Sequence, residues 1–373
     1  MNFEYSDEQQ QLADSLRKVL ANDYTFERRK AIISSASGVS DSVWTTFAEL
    51  GLMAIAVPEA DGGFGGGAVD LMAAMEACGE ALVVEPLLDN IALGGRLVAR
   101  AGNEAQRAAW LPGLIDGSKK LAFASLEPGR RYEALPEKTT AKAAGSGWVL
   151  DGEKSVVVGA ASATALIVSA RTEAGASLFI VDPKAAGVSL NPSRTVDGLR
   201  VADVKFTGVQ LGADALLGEA GGALPHIEEA IDFATALLCS DAIGAMRYAN
   251  EATLEYTKTR KQFGTTIASF QVLQHRMVEM LICFEQARSM AILAAAKVDN
   301  AASPAERRKA VSAAKVKIGD AARQISQESV QLHGGMGMTE ELKISHTFRR
   351  LTMIGQRFGD VDHHLERYAE SAT

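Results

Sequence analysis

The sequence is short of the residues that cross-link or anchor a chain. Its 373 residues include three cysteines, Cys78, Cys239 and Cys283. An odd number set far apart excludes a disulfide framework, and no pair has metal-ligand spacing. Each lies in a helical apolar pattern, which predicts free buried thiols in a reducing cytoplasm. Aromatic residues make up only 6%. No apolar run approaches the roughly 18 residues of a membrane span. The opening stretch MNFEYSDEQQQLADSL has no signal-peptide hydrophobic region. Lys and Arg form no stripe and the net charge is −8, which excludes a nucleic-acid-binding face. His363 and His364 invite a metal reading. Adjacent helix residues point about 100° apart, and no third ligand stands at suitable spacing, so no metal is expected.

What is present is ordinary for a soluble globular protein of two or three domains: 47% hydrophobic and 23% charged residues, with much alanine and glycine. Residues 1–117 read as helical. Ser6 and Gln9 form a capping box, and Trp44, Phe47 and Leu50 mark a helix ending at Gly51. A helix is predicted from Ala68 to Leu82, and another from Asn103 to Trp110, closed by Leu111-Pro112-Gly113. The glycine-rich loop Gly62 to Gly67 contains a G-x-G-x-x-A match. It lacks a preceding strand and a βαβ unit, so it is read as a turn and not a dinucleotide fingerprint.

From residue 118 to 218 the pattern changes to short strands. Leu121–Leu126, Leu166–Ala170, Ser177–Val181 and Ala202–Phe206 are predicted strands. Trp148–Leu150 and Ser155–Val158 flank Asp151-Gly152, a hairpin turn signal. This spacing predicts a small antiparallel barrel or sandwich. From 219 to 373 four long helices are predicted, over 222–260, 270–299, 304–332 and 344–372, forming an up-down bundle.

The first of these carries the chemistry. Between Phe233 and Met246 the one charged residue is Asp241. A lone carboxylate among apolar residues is costly unless it is paired or its pKa rises. Asp241 is therefore either a candidate general base or an acid bonded to a neighbouring backbone group or Arg. Tyr256, Arg260, Gln262, Phe263, Gly264, Ile267, Phe270 and Gln271 follow in the pattern Y-x3-R-x-Q-F-G-x2-I-x2-F-Q. Later comes Gln331-Leu332-His333-Gly334-Gly335-Met336-Gly337-Met338-Thr339.

These two blocks, in this order and separation, resemble the flavin-binding segments of the acyl-CoA dehydrogenase family. The resemblance covers essentially the whole chain. It implies an α+β fold with an N-terminal helical domain, a central small β-barrel and a C-terminal four-helix bundle. It implies FAD, with Arg260 and Gln271 reaching a neighbouring subunit's cofactor, Phe263 packing against the flavin or adenine, Gln262 among the cofactor-binding residues, and Gln331, Gly334 and Gly335 meeting the adenosine end. An Arg can meet a pyrophosphate with forked hydrogen bonds, and glycines let backbone approach closely.

The implied reaction is α,β-dehydrogenation of an acyl-CoA, within fatty acid β-oxidation, with electrons passed to an electron-transferring flavoprotein. The implied assembly is a homo- or heterotetramer. The chain departs from the family at several places. Leu126-Glu127-Pro128-Gly129-Arg130-Arg131 lacks a following Ser-Asp. Val156 and Val158 stand where an aromatic and a Thr cover the flavin. The two known positions of the base hold Phe358 and Ala234. Asp241, seven residues after Ala234 and so facing the same way, takes that role if the chain resembles the small subunit of bacterial pimeloyl-CoA dehydrogenases. Otherwise the chain is a partner without its own base, completing a sister subunit's FAD site.

Overall fold

The computed structural model describes residues 5–371. Residues 1–4, which open the N-terminal stretch judged above, and Ala372, the end of the last predicted helix, lie outside them. The helices are α1 (Asp7–Asp23), α2 (Phe26–Ser34), α3 (Asp41–Glu49), α4 (Ala68–Ala81), α5 (Arg96–Ala101), α6 (Glu104–Ile115), α7 (Leu224–Thr259), α8 (Gln271–Asn300), α9 (Pro304–His333), α10 (Lys343–Gln356) and α11 (Val361–Glu370). The strands are β1 (Leu121–Ala124), β2 (Thr140–Ala144), β3 (Gly147–Val158), β4 (Ala165–Thr172), β5 (Gly175–Val181), β6 (Val188–Arg194), β7 (Arg200–Leu211), β8 (Leu216–Leu217), β9 (Lys261–Gln262) and β10 (Thr265–Thr266). Contacts divide the chain into two compact units. One comprises Met1–Arg29, Ala68–Val83 and Thr235–Thr373; the other comprises Lys30–Gly67 and Val84–Ala234.

The first unit is helical. The Ser6 hydroxyl accepts from Gln9 N–H, and the Gln9 side chain accepts from Ser6 N–H, so the capping box forms. Two glycines set how closely α4 and α7 approach. A Cβ on Gly79 would lie 1.9 Å from the Asp241 carbonyl, and one on Gly244 would lie 1.8 Å from that of Glu76. Both obstacles are helix backbone, which cannot swing aside. Gly244→Ala is therefore expected to destabilise the protein by about 1–3 kcal/mol or more through overpacking, although Ala is the better helix former. A denaturant titration checks this; an unchanged midpoint would mean that the helices part freely.

The fourth predicted bundle helix is two helices. α10 ends at Gln356 and α11 begins at Val361, with Asp360 accepting from His363 N–H as N-cap. Phe358 and Gly359 between them have φ of 61° and 125°. Apolar periodicity does not register this break, because it lies in backbone angles that Phe rarely adopts. Two buried groups pin the turn. Lys315 Nζ donates to the Gly359 carbonyl at 2.6 Å, and His364 Nε2 meets the Phe358 carbonyl at 3.1 Å. The His364 Nε2 must carry the proton to make that bond, so Nδ1 accepts from the Ser312 hydroxyl at 3.2 Å.

Burial and then the neighbouring Lys315 charge push the His364 ring down to about 2. Unfolded, it takes up its proton near 6.5. The unfolded chain thus binds more protons below pH 6.5, and stability falls as pH falls from there towards 2. The expected slope from this group is up to about 1.4 kcal/mol per pH unit. His333 and His346, also lowered by burial, act in the same direction. Denaturation at pH 7 and pH 5 checks it: the slope should flatten in His364→Asn, and an undiminished slope would exclude His364 as its source.

In the second unit, one eight-stranded sheet runs β6-β7-β3-β2-β4-β5-β8, with β1 on β4. It is mixed and not purely antiparallel, since β1 and β2 both run parallel to β4. The Asp151-Gly152 signal does not make a hairpin. β3 continues through it, and Gly152, at φ 140°, sits in a register shift against β7. Such a shift is a bulge, and its extra residue lies on β7, where Thr207 and Gly208, at φ 60°, oppose Asp151. The hairpin between β2 and β3 lies earlier, where Ala144 pairs with Gly147. Leu150, Leu166, Val168, Phe179, Val204 and Phe206 form the core of this unit. α6 runs on through Pro112 to Ile115, beyond the expected stop at Leu111-Pro112-Gly113. Of the cysteines, Cys78 and Cys239 are buried as expected, whereas Cys283 is half-buried and contacts the Gln324 side-chain oxygen at 3.0 Å.

Candidate functional site

The cofactor residues predicted from sequence gather at one end of the helical unit, where α7 ends, α8 begins and α9 ends. Tyr256 on α7 stacks on His333 on α9, with ring centroids 4.4 Å apart. Arg276 of α8 pairs with Glu328 of α9 at 2.6 Å. Thr257 donates to the Met277 sulfur at 3.4 Å. His333 is buried and donates from Nδ1 to the Ser329 carbonyl at 2.8 Å. These contacts bring the β9–β10 hairpin and the glycine loop after α9 together. The Y-x3-R pattern included Tyr256, but no sequence signal linked it to His333.

All seven predicted cofactor residues are exposed: Arg260, Gln262, Phe263, Gln271, Gln331, Gly334 and Gly335. Phe263 sits at the hairpin tip with φ 55° and is 90% exposed. Its ring meets only the edge of Phe270, 6.1 Å away. Met338 is 70% and Val272 65% exposed nearby. A Cβ on Gly334 or Gly335 would meet nothing within 4 Å. This end thus offers a guanidinium, amides, an aromatic face and bare backbone to something outside the chain's own fold. Those are the groups an adenine dinucleotide needs. Exposed apolar side chains continue along α8 at Val278, Leu281 and Ile282, the signature of a surface covered by a partner.

Asp241 lies elsewhere in the same unit. Its side chain is buried and faces Arg350 of α10, with Oδ1 3.4 Å from Nε. Arg350 also donates to the Val83 carbonyl, and Arg29 Nε donates to the Leu82 carbonyl at 2.6 Å. Two buried guanidiniums therefore cap the C-terminal end of α4, where cations are favoured. Ala234 is fully buried and Phe358 forms the apex of the α10–α11 turn.

In the sheet unit, Glu127 is buried. It accepts from the backbone N–H of Glu137, Lys138 and Thr139 and from Lys154 Nζ at 3.1 Å. Burial pushes Glu127 upward, but the backbone donors and the Lys154 charge outweigh it and hold it at about 2. Burial pushes Lys154 down to about 8. Glu127-Pro128-Gly129 therefore anchors the loop between β1 and β2. Val156 projects outward at φ 54°, with its N–H on Asp203 at 3.1 Å, while Val158 is half-buried. A β-branched residue in that region is a backbone outlier.

Comparison with known proteins follows the same outline. Models of the acyl-CoA dehydrogenase N-terminal, middle and C-terminal domains match residues 6–118, 122–209 and 224–372. Acyl-CoA dehydrogenase fadE12 of Mycobacterium bovis is 31% identical over 317 residues, covering 82% of this chain and 81% of that protein. CarC, a subunit of the caffeyl-CoA reductase-Etf complex of Acetobacterium woodii, is 30% identical over 313 residues, covering 81% and 82%. Among solved structures, a variant of the Tcur3481-Tcur3483 steroid ACAD is 28% identical and covers 98% of each chain, with a TM-score of 0.89. No helix among the described residues is long and apolar enough to cross a membrane. With all three domain models matched in order, the chain belongs to the acyl-CoA dehydrogenase family of FAD-dependent oxidoreductases.

Proposed function

We propose that the chain is a subunit of an acyl-CoA dehydrogenase assembly that holds FAD between neighbouring subunits. The observation that carries this is the exposed convergence of Arg260, Phe263, Gln271, Gln331 and the Gly334-Gly335 loop at one end of the helical unit. Arg260 would meet the pyrophosphate, Phe263 would cover a ring, and the glycine loop would admit the adenosine end. When bound, FAD supplies the hydride acceptor that no side chain provides. The reaction of the assembly is α,β-dehydrogenation of an acyl-CoA thioester to the trans-2-enoyl-CoA. Its electrons would pass to an electron-transferring flavoprotein, a reading in keeping with the Etf complex to which the related CarC belongs.

The proton acceptor is the point on which the geometry favours one reading. Asp241, the base candidate, is the counter-ion of Arg350, and Ala234 and Phe358 carry no acid. We therefore assign the base to a sister subunit of the same fold, which takes the neighbour's place in the catalytic assembly. Alone, the chain would hold flavin between its own copies without being reduced by acyl-CoA. Asp241→Asn tests this in stopped-flow flavin reduction by acyl-CoA thioesters, on the chain alone and with any sister subunit that copurifies with it. The rate in the assembly should stay within about twofold of wild type, against the drop of about 10² or more that follows loss of a general base. A drop of that size with flavin still bound would make Asp241 the base.

A further inference from the structure

The glycine loop after α9 has little of its own to hold its shape. Gly334–Met338 form one tight helical turn, closed by Thr339, whose N–H and hydroxyl both donate to the Met336 carbonyl, at 3.2 and 2.9 Å. Gly337 lies against α9, since a Cβ there would come 2.7 Å from the Val330 carbonyl. Gly334 and Gly335 face solvent and bring no side chain. Glycine has the most backbone freedom to lose. A loop of this kind meets a ligand in one shape only if it is fixed from outside.

Three side chains within two turns of α10 fix its C-terminal end. The buried Ser345 hydroxyl donates to the Thr339 carbonyl at 2.6 Å. It also lies 3.1 Å from the Leu342 carbonyl, but a hydroxyl has one proton to give, and the shorter contact takes it. Arg349 Nη2 donates to the Ser345 hydroxyl oxygen at 3.4 Å and to the Glu340 carboxylate at 2.7 Å. Its approach turns the hydroxyl proton away from itself and towards Thr339. His346 completes the set. The buried Arg29 can only donate, so its Nη1 donates to His346 Nδ1 at 3.1 Å. The ring proton therefore sits on Nε2, which faces the Glu340 carbonyl at 3.3 Å and its carboxylate at 3.2 Å. Ser345, His346 and Arg349 all lie outside the two sequence blocks that carry the flavin pattern.

We infer that Ser345 is a positioning residue for the cofactor: it holds the Gly334–Thr339 loop in the shape that receives the adenosine end of FAD, with Arg349 and His346 in support. The inference rests on the shared-flavin reading of that loop. Ser345 acts through the loop and not on the ligand. It removes in advance backbone freedom that the loop would otherwise lose on binding.

Two measurements on the full-length chain test it: FAD titration after flavin removal, followed by flavin fluorescence, and hydrogen exchange without FAD. Ser345→Ala should raise the FAD dissociation constant about fivefold, the effect of one neutral hydrogen bond. Exchange at the Thr339 amide should quicken, while the amides of α8 exchange as in wild type. Ser345→Thr keeps the hydroxyl and should recover most of both effects. Thr347→Val removes another buried hydroxyl bond of α10, to the Lys343 carbonyl at 3.0 Å, that does not touch the loop. It should bind FAD as wild type does. Should Ser345→Ala fail to fold, Arg349→Gln replaces it and should shift both readouts the same way. Wild-type FAD affinity in the folded variant, or an equal loss in Thr347→Val, would overturn the inference. Wild type that binds no FAD would refute the proposed function and this inference with it. Wild type that binds FAD no more tightly than Ser345→Ala would refute this inference alone.

Discussion

Arg350→Met is expected to lower the unfolding free energy by about 3–5 kcal/mol, the cost of removing one partner from a buried ion pair. The loss has two parts. The Asp241 carboxylate would stay buried without its guanidinium, and the Val83 carbonyl at the end of α4 would lose a donor. Asp241→Asn removes the charge from the other side, so the double variant Asp241→Asn/Arg350→Met should cost less than the two single changes summed. Denaturant unfolding of the four proteins in that cycle measures the coupling. Strict additivity would mean that the two side chains act independently, and would reopen Asp241 as the base.

Arg260→Ala is expected to weaken flavin binding by about 10- to 100-fold, since a hydrogen bond to a charged group contributes roughly 1.5–3 kcal/mol. The side chain is exposed at the end of α7, so helix content and unfolding should stay near wild type. Flavin absorbance per chain, against circular dichroism on the same sample, separates the two effects. Arg260→Lys keeps the charge but loses the fork, and should recover binding only in part.

The end of the bundle was legible in the sequence because its residues are local. Arg260 to Gln271 and Gln331 to Gly335 each lie within a few turns of one chain segment, and each needs exposed polar, aromatic or glycine residues there. Long-range pairing left no such trace. The arginine that neutralises Asp241 stands on α10, and the lysine that holds Glu127 stands on β3. Nothing in the local pattern of either partner announces the other. The Asp151-Gly152 pair misled for a related reason: glycine at positive φ serves a strand opposite a bulge as well as a turn, and only the register with β7 separates them. β2 and β6 went unseen because they face solvent for most of their length. The break between α10 and α11 was hidden by a Phe in a backbone region that usually takes glycine.

The most direct test of a flavin held between subunits is sedimentation velocity recorded at protein and flavin wavelengths across a dilution series. The flavin signal should travel with the oligomer and vanish from the monomer boundary as the assembly dissociates. A verified monomer carrying a full complement of FAD would contradict the account.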